Sequence, residues 1–408
     1  MKTSRCLHLV LPTALVRSFL LLATGALATA TVAAAIEPRL PAHRAERILV
    51  PSLPSMKDNY LCFPAVLDLD RELLVSFKRG SRHGGDAEAV LDMVRIDGTH
   101  RSLSGWRTIA TLNDQIMQMG EWVRFPNGEV ANYIDAQEVD ANGRNRRIGM
   151  RSVRSTDGGR TFGQVERVGV VDGVEYGYPF SFIVEGKTTW ALVMSFTNLQ
   201  GGYTVHPPRP HAGQVAVIRS EDNGRSWRFV RDLTREFGSV PINESFFLRH
   251  RDGFMVVTRG YDNRARLHLT DGAFAVVKQR DLTETHDFIA SYVGRPRLFV
   301  RDGQVYLIGR NWTQSTEATT GPLGGDGVPT FPAAMKMCLF RLNPDDLTVS
   351  SYAILDNREQ ANVTDAYYPA PYFRNVNGHT RLFVVDYKAL NRQPPQIVEF
   401  EYLWNEVR

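Results

Sequence analysis

Apolar residues in this chain come in short runs rich in Val, Phe, Leu and Tyr, and the runs come in pairs. The pairs are AVLDLDRELLVSF (65–77), WVRFPNGEVANYI (122–134), FSFIVEGKTTWALVMSF (180–196), FFLRHRDGFMVVTR (246–259), RLFVRDGQVYLIGR (297–310) and YFRNVNGHTRLFVVDY (372–387). An Asn-Gly, Asp-Gly or similar turn sits inside each pair, and such residues accept the positive φ that a tight hairpin needs. The runs are too short for helices and rich enough in β-formers for strands. Six hairpins recurring at intervals of about 50–75 residues predict a repeat architecture. Further strand-like sequence follows each hairpin, so the repeat fits a four-stranded blade. The predicted fold is all-β, a six-bladed β-propeller of four-stranded antiparallel blades. Segment 104–120 is ambiguous between helix and strand. The Gly/Pro/Thr-rich segments 198–213 and 314–332 are expected to be long surface loops.

The N-terminus has a different pattern. Lys2 and Arg5 precede an apolar run from Phe19 that ends at Ala33-Ala34-Ala35, which reads as a secretory signal peptide over residues 1–35, cleaved after Ala35. The expected product is residues 36–408, one propeller domain, secreted or periplasmic. No later segment offers ~18 unbroken apolar residues, so no stable membrane insertion is expected. Of the formal charge of +4, three positive charges (Lys2, Arg5, Arg17) fall in the leader and leave +1. That balance gives no reason to expect nucleic acid as a partner. Cys62 and Cys338 remain after the leader, both inside apolar strand-like runs, where buried free thiols are expected rather than a disulfide. The scattered histidines show no metal-ligand spacing, so neither metal nor cofactor is expected.

Two segments share a more specific form. RSTDGGRTF (154–162) and RSEDNGRSW (219–227) both read Ser-x-Asp-x-Gly-x-(Thr/Ser)-aromatic, with a degenerate third copy in LNPDDLTV (342–349). In such a turn the Asp accepts backbone N–H groups, the Gly supplies an unusual φ and the aromatic tucks under the sheet. This is the Asp-box, or BNR repeat, and through it residues 46–408 resemble the sialidase (neuraminidase) superfamily. The motif reports fold and not chemistry.

The resemblance implies a site over the central channel with three arginines for a substrate carboxylate, an Asp acid/base and a Tyr nucleophile activated by a Glu. PINESFFLRHRDGFMVVTRG is similar to the segment that carries the Glu and the second arginine, giving Glu244 and Arg259. SRHGGDAEAV offers Asp86 as acid/base, although an Asp in a Gly-rich loop is also an ordinary turn residue. DAYYPAPYF offers Tyr368 as nucleophile, with Tyr367 as the adjacent alternative. Asp386 falls where the family has a Glu supporting its first arginine. Cys62 stands at the first arginine's own place. Near the third arginine's place stands Lys336, with Arg310 as another cation. Lys78, Arg79, Arg82 and His83 form a candidate cationic patch, and His83 is also a candidate general acid or base. Tyr176 and Tyr178 are candidates for stacking on a sugar. The function implied is a glycoside hydrolase releasing a terminal sugar, acidic or neutral, from a glycan. A polysaccharide lyase and a non-catalytic glycan-binding propeller remain open alternatives, and the sequence leaves the oligomeric state undetermined.

Overall fold

Each of the six hairpins forms the first two strands of an antiparallel sheet in the computed structural model of the chain. The structure describes residues 36–98, 101–113, 115–139, 145–195, 215–240, 242–314, 333–358 and 362–408. The leader 1–35, the segment 198–213 and nearly all of 314–332 lie outside the described residues. The first blade comprises Tyr60–Asp68, Glu72–Gly80, Val90–Asp97 and Leu103–Thr111, and the second Ile116–Arg124, Val130–Val139, Asn145–Ser155 and Glu166–Arg167. Segment 104–120 is therefore strand, split between two blades. The third blade comprises Val174–Glu185, Thr188–Ser195, Val215–Ser220 and Arg228–Asp232, with Val170–Val171 paired to its first strand. The fourth comprises Ile242–His250, Gly253–Gly260, Ala265–Thr270 and Val276–Asp281, and the fifth Gly294–Arg301, Gln304–Gln314, Ala333–Asn343 and Thr348–Ile354.

The sixth blade closes the ring. Its first strand is broken into Val363–Ala366 and Ala370–Val376, both paired with His379–Leu390, which pairs in turn with Gln396–Leu403. Its outer strand comes from the other end of the domain: Ala45–Val50 pairs with Gln396–Leu403. From the sixth blade through the first and on to the fifth, the first strands of neighbouring blades pack against one another, so they line the axis. Apolar side chains fill the spaces between blades, for example Trp190 of the third blade and Phe254 of the fourth with ring centroids 6.0 Å apart. Among the described residues no helix is long and apolar enough to cross a membrane. Cys62 and Cys338 are both free and buried.

Local chemistry explains the turns. Asp302-Gly303 and Asn377-Gly378 take positive φ at both residues, as a right-twisted hairpin requires. In RSTDGGRTF, Asp157 Oδ1 accepts from the N–H groups of Arg160 (2.8 Å) and Thr161 (2.9 Å), and Ser155 Oγ accepts from Gly159 N (2.8 Å). RSEDNGRSW repeats these bonds one for one: Asp222 Oδ1 accepts from Arg225 N (3.1 Å) and Ser226 N (2.9 Å), and Ser220 Oγ from Gly224 N (2.8 Å). A second internal repeat ends the third and fourth blades. Asp232-Leu233-Thr234 and Asp281-Leu282-Thr283 each start a single helical turn with the Asp as cap. In both, the Thr hydroxyl accepts from a third-strand N–H at 2.9 Å, that of Val215 or Ala265.

Gly224 has φ +74, and a Cβ there would come within 2.4 Å of Phe125 Cζ and 2.5 Å of Tyr133 Oη, whereas Gly186, at φ +57, has open space around it. Gly224→Ala should therefore cost about 2–4 kcal/mol, combining left-handed strain with overpacking, and Gly186→Ala only about 1 kcal/mol. Denaturation of the two variants beside wild type tests this order, and equal losses would contradict the turn packing.

Candidate active site

A small irregularity recurs in every blade. Where the first strand reaches the axis, its pairing with the second strand slips, so that extra residues bulge out of the ladder. The slips fall between Cys62 and Ala65, Met117 and Met119, Tyr176 and Pro179, Ile242 and Ser245, and Gly294 and Arg297; in the sixth blade the strand breaks between Ala366 and Ala370. Bulges of this kind re-aim side chains. In four blades the bulge contains a residue followed by Pro, namely Phe63-Pro64, Tyr178-Pro179, Arg295-Pro296 and Tyr368-Pro369. Pro has no N–H to offer a ladder and tolerates such positions. Phe63, Arg295 and Tyr367 take positive φ there, at 56°, 43° and 72°, a conformation rare for bulky residues and commonest where function holds it.

The bulges of four blades converge on one carboxylate. Glu244 Oε1 accepts from Tyr368 Oη at 2.5 Å and from Tyr178 Oη at 3.1 Å. Its Oε2 accepts from an Arg259 guanidinium N–H at 2.7 Å and from the Arg295 backbone N–H at 2.8 Å. Burial by itself would raise the Glu244 pKa, but the Arg259 charge and the hydrogen bonds from Tyr368 and Arg295 outweigh it and hold the group at about 2. Burial, and then the Glu244 charge, push the Tyr368 phenol well above its ordinary value. At neutral pH the site therefore holds an ionised Glu244 bonded to a protonated Tyr368. Arg310 lies over the Tyr368 ring, 4.7 Å from its centroid.

A second buried carboxylate, Asp365, stands beside this group. Its Oδ1 accepts from Tyr387 Oη at 2.9 Å and lies 3.5 Å from an Arg310 nitrogen, and its Oδ2 accepts from Tyr60 Oη. The same Oδ2 is 2.7 Å from His83 Nδ1. Burial opposes ionisation of Asp365, but His83, Arg310 and Tyr60 outweigh it and hold the carboxyl at about 2. The Phe63 ring touches both halves of the site, with centroids 4.8 Å from His83 and 5.3 Å from Tyr368. Across the axis Glu121 accepts from Arg295 at 2.5 Å and from Arg297 at 2.9 Å, and Arg147 pairs with Asp135 at 3.1 Å.

The structure thus brings together Glu244, Arg259, Arg310, His83 and Tyr368 from the sequence reading. It separates the two adjacent tyrosines: Tyr367 turns away and donates to Asp356 at 2.9 Å. Asp386 holds the Tyr368 segment by accepting from the N–H groups of Tyr368 and Tyr387, both at 2.8 Å. Cys62 has no arginine's role to play, and burial pushes its thiol up, keeping it neutral. Tyr178 joins the site through its bond to Glu244, and Lys78 through its bond to the His83 carbonyl at 3.0 Å, whereas the remaining candidates point away. All the hydrogen bonds of the Asp86 carboxylate go to its own loop, from Ser81 N (2.5 Å), Ser81 Oγ (2.9 Å) and Glu88 N (3.0 Å). Arg79 turns outward along the first blade to Asp92 at 2.7 Å, and exposed Arg82 bonds Gly85 O. Lys336, half-buried, pairs in register with Asn311 on the strand beyond Arg310. Tyr176 packs between the second and third blades. Asp365, Glu121, Asp135, Arg147, Arg295 and Arg297 escaped the sequence reading. The recurrent residue-Pro pair at the inner bulge was the available signal for Arg295 and its neighbour Arg297.

The comparisons agree with this geometry at the level of fold. No protein-family model matches the sequence, and neither does any curated protein. Similar solved structures include a protein of unknown function from Dyadobacter fermentans, with TM-score 0.63 and 15% identity over 90% of this chain and 100% of that one. The NanB sialidase from Streptococcus pneumoniae is similar with TM-score 0.57 and 10% identity, over 89% of this chain and 71% of that one. An α-L-arabinanase from Penicillium chrysogenum, complexed with arabinobiose, is similar with TM-score 0.55 and 11% identity, over 90% of this chain and 100% of that one. The chain has the sialidase-like propeller fold, shared by glycoside hydrolases.

Asp386 yields a pH prediction. Its Oδ2 is buried with no hydrogen-bond partner among the described residues, and burial raises its carboxyl to about 8 against the pull of the two N–H bonds. The folded protein then binds a proton that the unfolded chain releases near pH 4, so this contribution is complete at low pH and is lost as pH rises through about 8. Asp386→Asn removes the titrating group and keeps the acceptor oxygen. Its melting temperature relative to wild type should rise between about pH 5 and pH 9, and a constant difference would contradict the assignment.

Proposed function

We propose that this chain is a retaining glycoside hydrolase that releases a terminal sugar other than sialic acid from glycans, with Tyr368 as nucleophile and Glu244 as acceptor of its proton. The observation that carries this reading is the 2.5 Å hydrogen bond from Tyr368 to Glu244, buried on the axis between Arg259 and Arg310. A phenol is a weak nucleophile at neutral pH and needs a base within hydrogen-bond reach. Glu244 supplies it: as the phenol oxygen attacks the anomeric carbon, its proton passes along the existing bond to the carboxylate. The Arg310 guanidinium over the ring stabilises the charge that develops on the phenol oxygen.

The sialidase and arabinanase named above support carbohydrate as the substrate class. Sialic acid itself is disfavoured by the site's cations. Cys62 offers no charge, and Arg310 is already bonded to Tyr387 (2.8 Å), Asp365 and the Ala366 carbonyl. A bidentate Arg–carboxylate contact contributes roughly 1.5–3 kcal/mol, so its loss lowers affinity for a sialyl group by one to two decades. A uronic or neutral sugar needs less of that grip. The signal peptide read from residues 1–35 supports an activity outside the cytoplasm.

The test is a panel of sialyl, glucuronyl and arabinofuranosyl glycosides, with the first-formed product identified by NMR. Cleavage with retained anomeric configuration is expected, and Tyr368→Phe and Glu244→Gln should each lower kcat/KM by at least about 10²-fold without loss of fold. An inverted sugar, an unsaturated elimination product, or an unchanged rate in Tyr368→Phe would overturn the reading.

A further inference from the structure

Hydrolysis through Tyr368 leaves one proton unassigned, the one that the departing glycosidic oxygen must receive. We propose that His83 donates it, and that Asp365 is the positioning residue that orients the imidazole. The inference rests on the glycosidase reading above and deepens it.

The geometry is that of an acid/base dyad. His83 Nδ1 is engaged by Asp365 Oδ2 at 2.7 Å, which leaves Nε2 as the working nitrogen, and that atom has no protein partner among the described residues. Asp365 is itself fixed from three sides, by Tyr60, Tyr387 and Arg310. The His83 main chain is fixed independently, its carbonyl accepting from Lys78 Nζ at 3.0 Å and Gln118 Nε2 at 3.2 Å. The imidazole is only half-buried, so it can meet a substrate, and a single phenyl ring, Phe63, separates it from the Tyr368 nucleophile. Tyr368 and the dyad also share Arg310, which lies over the Tyr368 ring and reaches Asp365.

Asp86, three residues along the same loop, is the competing donor. Its carboxylate accepts three hydrogen bonds from Ser81 and Glu88, and these outweigh burial and hold it below the ordinary carboxylate range. A group kept ionised in this way is a poor proton donor. Its bonds instead tie the two ends of the 81–88 loop together and so present His83.

Protons and bonds balance over the two steps. In the first, the Tyr368 oxygen bonds to the anomeric carbon, the glycosidic C–O bond breaks, the phenol proton goes to Glu244, and the departing oxygen takes a proton from His83 Nε2. In the second, water attacks the anomeric carbon and gives a proton to Nε2, while the tyrosine oxygen leaves and recovers its proton from Glu244.

The experiment compares methyl and 4-nitrophenyl glycosides of glucuronic acid, arabinofuranose and N-acetylneuraminic acid. A 4-nitrophenolate leaves without protonation, whereas an alkoxide does not. His83→Ala should lower cleavage of the methyl glycoside by about 10²–10⁴-fold and cleavage of the 4-nitrophenyl glycoside far less. Added azide should speed turnover of the variant and yield a glycosyl azide. Asp365→Asn should lower kcat with KM retained, and the double variant should be no slower than His83→Ala, because a positioning residue acts through the group it holds. If Asp365→Asn fails to fold, His83→Asn, altered only on the half-exposed loop, must still show the leaving-group selectivity and the azide product. Equal losses on the two leaving groups in His83→Ala overturn the dyad. So does a leaving-group selectivity and azide product found in Asp86→Asn and absent from His83→Ala, a result that leaves the hydrolase reading intact. No cleavage of any probe by the wild type overturns both.

Discussion

A buried carboxylate is stable only where its lone pairs and its charge are met, and Glu244 meets that requirement with donors from four consecutive blades. Tyr178 comes from the third blade, Arg259 from Glu244's own fourth, the Arg295 N–H from the fifth and Tyr368 from the sixth. None of these donors is adjacent to another in sequence. Removing one partner of such a buried, hydrogen-bonded charge commonly costs 3–5 kcal/mol, on the order of a third of a domain's stability. The Tyr368–Glu244 bond, to which the proposed function assigns the activation of a nucleophile, therefore also fixes the relative placement of the blades around the axis.

The ring was legible in the sequence because a blade is a local object. Its hairpins are announced by Asn-Gly and Asp-Gly between β-rich runs, and every one of the six paired runs became an inner hairpin. The Ser-x-Asp turns were legible for the same reason, since each closes its hydrogen bonds within eight residues. The repeated Asp-Leu-Thr at 232–234 and 281–283 was equally local and passed unnoticed. Its helical turns are only four residues long and leave no periodic trace.

The site was legible only in part, and the boundary is physical. Glu244, Arg259, Tyr368 and Asp386 could be matched because they lie at fixed offsets along hairpins. Asp365 could not be singled out: in Thr364-Asp365-Ala366 nothing marks it off from a surface carboxylate. Its character comes from Tyr60 and His83, which are some three hundred residues away in sequence. Arg295 and Glu121 belong to the same class. A one-residue slip in a strand flips its side chains to the other face, so the inner bulges decide which residues reach the axis. Lys336 and Arg310 illustrate the point. They stand on adjacent strands of one blade, but Lys336 pairs with Asn311, one position out of step, and only Arg310 lies over the Tyr368 ring.

The ring is latched by its first strand, Ala45–Val50, which pairs with the last, Gln396–Leu403. That seam sets the first blade beside the sixth, and so His83 beside Asp365, two residues separated by 282 positions in the chain. A nascent polypeptide emerging from the ribosome carries the histidine long before its aspartate partner has been made, and Tyr368 follows three positions after that. A product truncated before the sixth blade cannot bring His83 to Asp365, and this pairing waits until Ala45–Val50 has met Gln396–Leu403.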